Sequence, residues 1–265
     1  MSTPAASHAL HSDMEPGLPP SYIDAVAIKT AFRHLDRSGC AFPKKFSISP
    51  NSTGSSIKWI LGEYRHQPIF AISRREPRSG NKPDVILHDG ISLNDPTLAS
   101  FRSLEGTPRT WKVRLPPSDA EPDVGFEIVS AGNDWRAQKR PVLKFSVATE
   151  VRREREDFEW RSSNNDNIRG LLGGQSLGWK LVRITKDAFT DQIRGPRGAW
   201  PKTNNGAEIV AVFSSGSGLL VGDDWKFAFV GTGANSVLGS RWEIMTVITA
   251  LLILDTTIRT NPEIG

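Results

Sequence analysis

Gly174-Gln175-Ser176-Leu177-Gly178 has the G-x-S-x-G spacing of a hydrolase elbow, where a sharp strand-to-helix turn exposes a nucleophilic serine. In that arrangement a later histidine takes the serine's proton. The histidines here are His8, His11, His34, His66 and His88, all upstream of Ser176. The pentapeptide is therefore expected to be a turn leading into a strand at Trp179. Gly231-Thr232-Gly233-Ala234-Asn235-Ser236 has the glycine content of a phosphate-cradling loop, but no third glycine and no surrounding βαβ unit. It reads as a turn before the last element. No histidines are paired at i,i+4, and Cys40 is the single cysteine, so no zinc site, disulfide or thiolate cluster is expected. Asp223-Asp224 and Asn164-Asn165-Asp166 lack the alternating carboxylates of a calcium loop. No catalytic residue, metal site or cofactor is assigned.

Two patterns point to binding instead. Pro19-Pro20-Ser21-Tyr22 is a PPxY motif: the prolines preset an extended polyproline II strand, and Tyr22 supplies an aromatic plug. WW domains read that combination in an aromatic groove, and the partners implied are ubiquitin ligases of the HECT type. The second pattern is electrostatic. The net charge is +4, with Lys and Arg crowded between Lys29 and Arg155, while acids outnumber bases after Asn204. A basic region attracts phosphate on lipid or nucleic acid. On a barrel wall, Lys180 would face outward with basic residues of neighbouring strands. Arg161 and Arg183 are weaker additions, because Trp179, Leu181 and Arg183 share the opposite parity from Lys180. Together Lys180, Arg183 and Arg161 form the candidate site for an anionic lipid headgroup.

The elements that must carry these residues are short. Apolar residues make up 38% and charged residues 23%, and 18 prolines and 23 glycines punctuate the chain. Met1–Pro20 is rich in Ser, Pro, Ala and His, which suits a disordered tail. It lacks the basic start and apolar centre of a secretory leader, so a reducing, intracellular compartment is expected. Residues 1–22 are expected to form the tail and 23–40 a short helix and linker. The barrel domain is expected over 41–256, with a second tail over 257–265. From Phe46 onward, short alternating runs recur between turn residues. They predict strands at Lys45–Ile48, Ile57–Leu61, Pro68–Ser73, Asp84–Leu87, Leu98–Leu104, Arg109–Leu115, Gly125–Ser130, Val142–Ala148, Phe158–Arg161, Trp179–Ile184, Ala207–Ser214 and Trp225–Val230. Trp111, Val113 and Leu115 alternate with Lys112 and Arg114, as in a strand with one wet face. About a dozen strands with almost no helix between them imply antiparallel meanders.

The run Trp242–Leu254 differs from all of these. It is long for a strand and short of the roughly 20 apolar residues that cross a bilayer. Ile244, Val247, Ile248, Leu251 and Leu254 form one stripe of a helix, and the opposite side is uncharged. A helix without a charged face is normally enclosed by protein. The expected fold is mainly β: a closed antiparallel β-barrel of about 12 strands around a buried apolar C-terminal α-helix.

Several short motifs in this order resemble the tubby C-terminal-like superfamily. They are Leu87-His88-Asp89-Gly90 with Asp95-Pro96 and Leu98-Ala99, then Phe158-Glu159-Trp160-Arg161. Gly178-Trp179-Lys180-Leu181-Val182-Arg183 follows, and Leu238-Gly239-Ser240-Arg241-Trp242-Glu243-Ile244-Met245 leads into the helix. That superfamily includes tubby proteins, phospholipid scramblases and LURP-one-related proteins, and the likeness is to its uncharacterised fungal members. It covers roughly residues 41–254. The chain lacks the aromatic-rich terminal signature of tubby proteins and the clustered cysteines of scramblases. The resemblance implies a β-barrel at a membrane surface or in a scaffold, with phosphoinositide binding as one such role. The expected function is a non-enzymatic adaptor or peripheral, anionic-lipid-binding module with a WW-binding tail and no transmembrane segment. It would reside in the cytoplasm, at the inner face of a membrane or in the nucleus. A β-barrel carrier of a small apolar ligand is the main alternative. A nucleic-acid-binding β-domain ranks below it, because no RNP-type motif accompanies the basic and aromatic residues.

Overall fold

A computed structural model describes residues 42–51, 57–75, 83–116, 125–132, 142–150, 154–163, 168, 170, 172, 178–184, 201–204, 206–214 and 224–260. The strands are β1 (Lys45–Pro50), β2 (Ile57–Gly62), β3 (Phe70–Arg74), β4 (Val85–His88), β5 (Thr97–Ser103) and β6 (Thr110–Arg114). They continue as β7 (Phe126–Ala131), β8 (Val142–Ala148), β9 (Arg155–Ser163), β10 (Gly178–Ile184), β11 (Ile209–Ser214) and β12 (Trp225–Phe229). Each pairs antiparallel with its neighbour in sequence, and β1 closes on β12 through Phe46↔Phe227 and Ser47↔Lys226. The sheet is an up-and-down closed barrel of the kind the alternation predicts.

Period two sorts the side chains. In β8, Leu143, Phe145 and Val147 are buried while Lys144 is exposed. One inward row runs across four strands as Trp160↔Leu181↔Ala211↔Phe229, every member buried. Phe46 stacks on Phe227 with ring centres 4.6 Å apart, next to the closing seam. A barrel of about eight strands has room inside for its own side chains or one small ligand. Twelve strands make a wider bore, and here a helix fills it.

That helix, α1 (Ser240–Thr260), is buried at every position from Arg241 to Asp255. It is longer than the expected Trp242–Leu254 at both ends, and each end has a reason. Gly239, at φ +89°, turns the chain into the first turn, where a Cβ would strike the Glu150 side chain. The Glu150 carboxylate accepts the Ser240 N–H at 3.2 Å, satisfying a free donor at the positive end of the helix. Past Asp255, the hydroxyls of Thr256, Thr257 and Thr260 donate to the carbonyls of Leu252, Ile253 and Thr256, at 2.8, 2.8 and 3.0 Å. Arg259, in the last turn and paired with Asp255 four residues earlier, supports the helix through residues expected to be tail. Inside, Trp160 donates its indole N–H to Thr249 at 2.8 Å, and the Trp242 ring packs on Phe158 and Phe229. A short 3-10 turn, Gly231–Asn235, precedes α1, with Thr232 and Gly233 buried.

A small second apolar cluster lies apart from this core. Ile168 and Leu172 pack with Ile209, Val212, Ala228 and Val230. Both faces of β11 are therefore covered, which explains why it is buried at every position.

Leu251 is 1% exposed at the centre of the bore. Leu251→Ala should cost about 2–5 kcal/mol in urea unfolding, and Leu251→Asp should abolish the cooperative transition. A soluble, cooperatively folded Leu251→Asp protein would show that α1 does not hold the barrel from within.

Candidate functional site

Charged groups at both ends of α1 meet opposite charges inside the wall. At the start, Arg241 donates to Glu127 of β7 at 2.9 Å and to the Pro116 carbonyl, and Arg155 of β9 binds the same carboxylate. Arg183 of β10 makes a two-pronged pair with Glu156 of β9, at 2.6 and 2.8 Å. Thr149 donates to Glu156 at 2.6 Å. Glu208 lies 3.7 Å from Arg183 and accepts the Thr232 N–H at 2.7 Å. At the other end, Asp255 sits between Arg74 at 2.7 Å and Arg259 at 2.6 Å. Burial raises the Asp255 carboxyl above its usual range, with Asp84 adding a little, against the lowering effect of both arginines. Paired and hydrogen-bonded in this way, the charges can stay in the low-dielectric interior.

Arg183 therefore stands apart from the other two candidate cations. Its side chain is 2% exposed and turned inward, on the parity that Trp179 and Leu181 share. Lys180 and Arg161 are brought together as directly opposed residues of β10 and β9 on the outer wall. Arg161 places two guanidinium nitrogens on Glu159, at 2.9 and 2.6 Å, and Lys144 reaches the other oxygen at 2.9 Å. Partial burial pushes Glu159 up, but the hydrogen bonds and charges of Lys144 and Arg161 outweigh it and hold the carboxyl below its usual range. Glu159 is thus ionised and offsets part of the positive charge on this wall. A second cationic stretch, which single-strand reading noted only as the wet face of β6, contains Lys112 and Arg114. Arg102 stands opposite Lys112 on β5. Only the register between strands shows that these side chains adjoin.

The nucleophile-like features resolve differently. Ser73 and His88, neighbours across β3 and β4, lie 2.9 Å apart, the start of a serine–histidine pair. The other imidazole nitrogen lies 3.3 Å from the Asp95 backbone oxygen, while the Asp95 carboxylate accepts the Ser92 N–H at 2.8 Å. Both Ser73 and His88 are buried. With Asp89 N–H on the Pro96 carbonyl at 2.7 Å, the group latches the 89–96 loop onto the wall. A Cβ at Gly90 would meet the Asp95 carboxylate, so the His88-Asp89-Gly90…Asp95-Pro96 pattern has a packing explanation. The Gly231–Asn235 turn gives the Thr232 N–H to Glu208, and a Cβ at Gly233 would strike the Val210 carbonyl and the Trp242 ring. It caps the bore beside α1. Among the described residues, no three His, Cys, Asp or Glu side chains converge as metal ligands, and no helix is long and apolar enough to cross a membrane. Pro19, Pro20 and Tyr22 of the PPxY motif, and Ser176, lie outside the described residues.

Comparison with protein-family models, curated proteins and solved structures finds no match to this chain.

The two arginines of β9 and β10 should separate cleanly on substitution. Arg183→Met strands the buried Glu156 carboxylate and should cost about 3–5 kcal/mol in urea unfolding. Arg161→Met, at the wall's surface, should stay within about 1 kcal/mol of the parent. Equal small losses would contradict the inward placement of Arg183.

Proposed function

We propose that this chain is a non-enzymatic barrel module of the tubby-like type, acting as an adaptor or peripheral membrane-binding protein. Its outer wall would meet anionic lipid headgroups, phosphoinositides among them, and its Pro19-Pro20-Ser21-Tyr22 tail would engage a WW domain of a ubiquitin-ligase partner. The observation that carries this reading is the filled bore. Because α1 occupies the centre from Arg241 to Asp255, the cavity that serves a barrel carrier of apolar ligands is taken up by the protein's own side chains. Recognition then falls to the outside of the wall and to segments beyond it. A closed meander of strands around a C-terminal helix is also the architecture that the tubby-like resemblance implies. The paired arrangement of Lys180 and Arg161, and the row through Arg102, Lys112 and Arg114, supply cations on that outside.

Liposome flotation of the full chain tests the membrane half: the protein should rise with vesicles containing a phosphoinositide and stay at the bottom with phosphatidylcholine alone. Identical behaviour across lipid compositions would remove it. Titration of a residues 1–22 peptide against a WW domain tests the tail, where Tyr22→Ala should abolish binding; equal affinity would leave the motif without a role.

A further inference from the structure

One stretch of the wall keeps the period of two but turns its large apolar side chains to solvent. In Phe126-Glu127-Ile128-Val129 of β7, the acid points inward and is 3% exposed, while Phe126 and Ile128 point outward at 48% and 45% exposure. Shifting the register by one residue would bury both apolar side chains and free the acid. The observed register is held from inside by Arg241 and Arg155 on Glu127, and by Val129 against Phe145 and Trp111. Two large apolar side chains are thus kept side by side in solvent.

Among the described residues, their cross-strand neighbours on β6 are cationic. Arg114 stands directly opposite Phe126 on β6, and Lys112 opposite Ile128. The Lys112 ammonium lies 3.6 Å from the centre of the Phe126 ring, a cation–π contact that holds positive charge beside the apolar pair. Arg102 extends the row onto β5. Among the described residues, the outward positions of β5, β6 and β7 carry no acid. This differs from the Lys180–Arg161 wall, where Glu159 accepts both Arg161 and Lys144.

We propose that this face of β5–β7 is the surface on which the barrel docks to an anionic lipid bilayer. Phe126 and Ile128 enter the boundary between headgroups and acyl chains, and Lys112, Arg114 and Arg102 meet the phosphates. The inference rests on the reading of the chain as a peripheral membrane module and gives that module its orientation. A second copy of the chain is a poor occupant, because a symmetric contact through this face would bring like charges together. The closed barrel offers an extended peptide no free strand edge to pair with, whereas a fluid interface moulds to its outer wall. Large exposed apolar patches rimmed by polar groups mark interaction sites, and here the described residues opposite the apolar pair are both cations.

The test is flotation of the full chain with phosphatidylcholine vesicles, with and without phosphatidylserine. Phe126→Ser/Ile128→Ser and Lys112→Glu/Arg114→Glu should each lower the vesicle partition coefficient at least about tenfold, with unfolding midpoints like the parent's. Tyr64→Ser removes an exposed aromatic from the β2–β3 turn and should float as the parent does. Raising the salt should weaken the parent's binding and leave little for the charge-reversed variant to lose. If the parent floats and both β6–β7 double variants float equally well, this face is wrong while the membrane reading stands. Loss of flotation in Lys180→Glu/Arg161→Glu alone would move docking to the other wall, again overturning this face and leaving the membrane reading intact. A parent that binds no vesicles but is retained by immobilised polyglutamate would assign the face to an acidic protein and overturn the proposal.

Discussion

A helix that is apolar on every side is stable in water only when something encloses it completely. That constraint governs the rest of this structure. The side chains of α1, from Trp242 to Leu254, have no face to offer solvent. An open sheet would cover one side of such a helix and leave the other wet. Closure of β1 on β12 removes that problem and, with it, the unpaired edges through which sheets aggregate. The strand number follows from the same need, since the bore must hold a cylinder of about 10 Å.

Enclosure creates a second problem at the two ends, where the chain must enter and leave a low-dielectric bore. Backbone donors and charged side chains there cannot rely on water. Glu150 meets the Ser240 N–H at the start of α1, Glu127 neutralises Arg241, and Asp255 lies between Arg74 and Arg259. Buried pairs of this kind add little net stability over well-packed apolar residues, while removal of one partner is costly. Their effect is to fix where the helix sits. An α1 displaced by one turn would separate Arg241 from Glu127 and Asp255 from Arg74 together, so the two ends jointly define one axial position.

The twelve strands and the terminal helix were legible because each is a local pattern. Leu143-Lys144-Phe145-Ser146-Val147 alternates within one strand, and Ile244, Val247, Ile248 and Leu251 repeat within one helix. What was illegible depends on more than one strand. Arg183 shares its parity with Leu181, which hinted that it faces inward, yet the acids that make such burial tolerable lie on β9 and just before β11. In β7 the local pattern misleads: Phe126 and Ile128 look like the core face and Glu127 like the wet one. The contrary outcome is decided by Arg241, more than a hundred residues away. Single-strand periodicity holds no information about a partner at that separation. The Ser73–His88 contact was likewise out of reach, since it joins neighbouring strands whose register is set by the whole meander.

Local patterns fail where a distant demand overrides them, and β7 is where the cost of the override stays visible. A buried acid was needed to hold Arg241 at the mouth of the bore. Period two then forces the residues on either side of Glu127 outward, whatever they are. Polar residues there would have satisfied the fold at no cost, as Ser130 does two positions beyond Ile128 on the same strand. Clamping the helix therefore accounts for Glu127 but not for the phenylalanine and isoleucine beside it. Nor does it account for Lys112 and Arg114 standing opposite them. The helix clamp leaves these four residues unexplained, and the docking face proposed above would account for all of them at once.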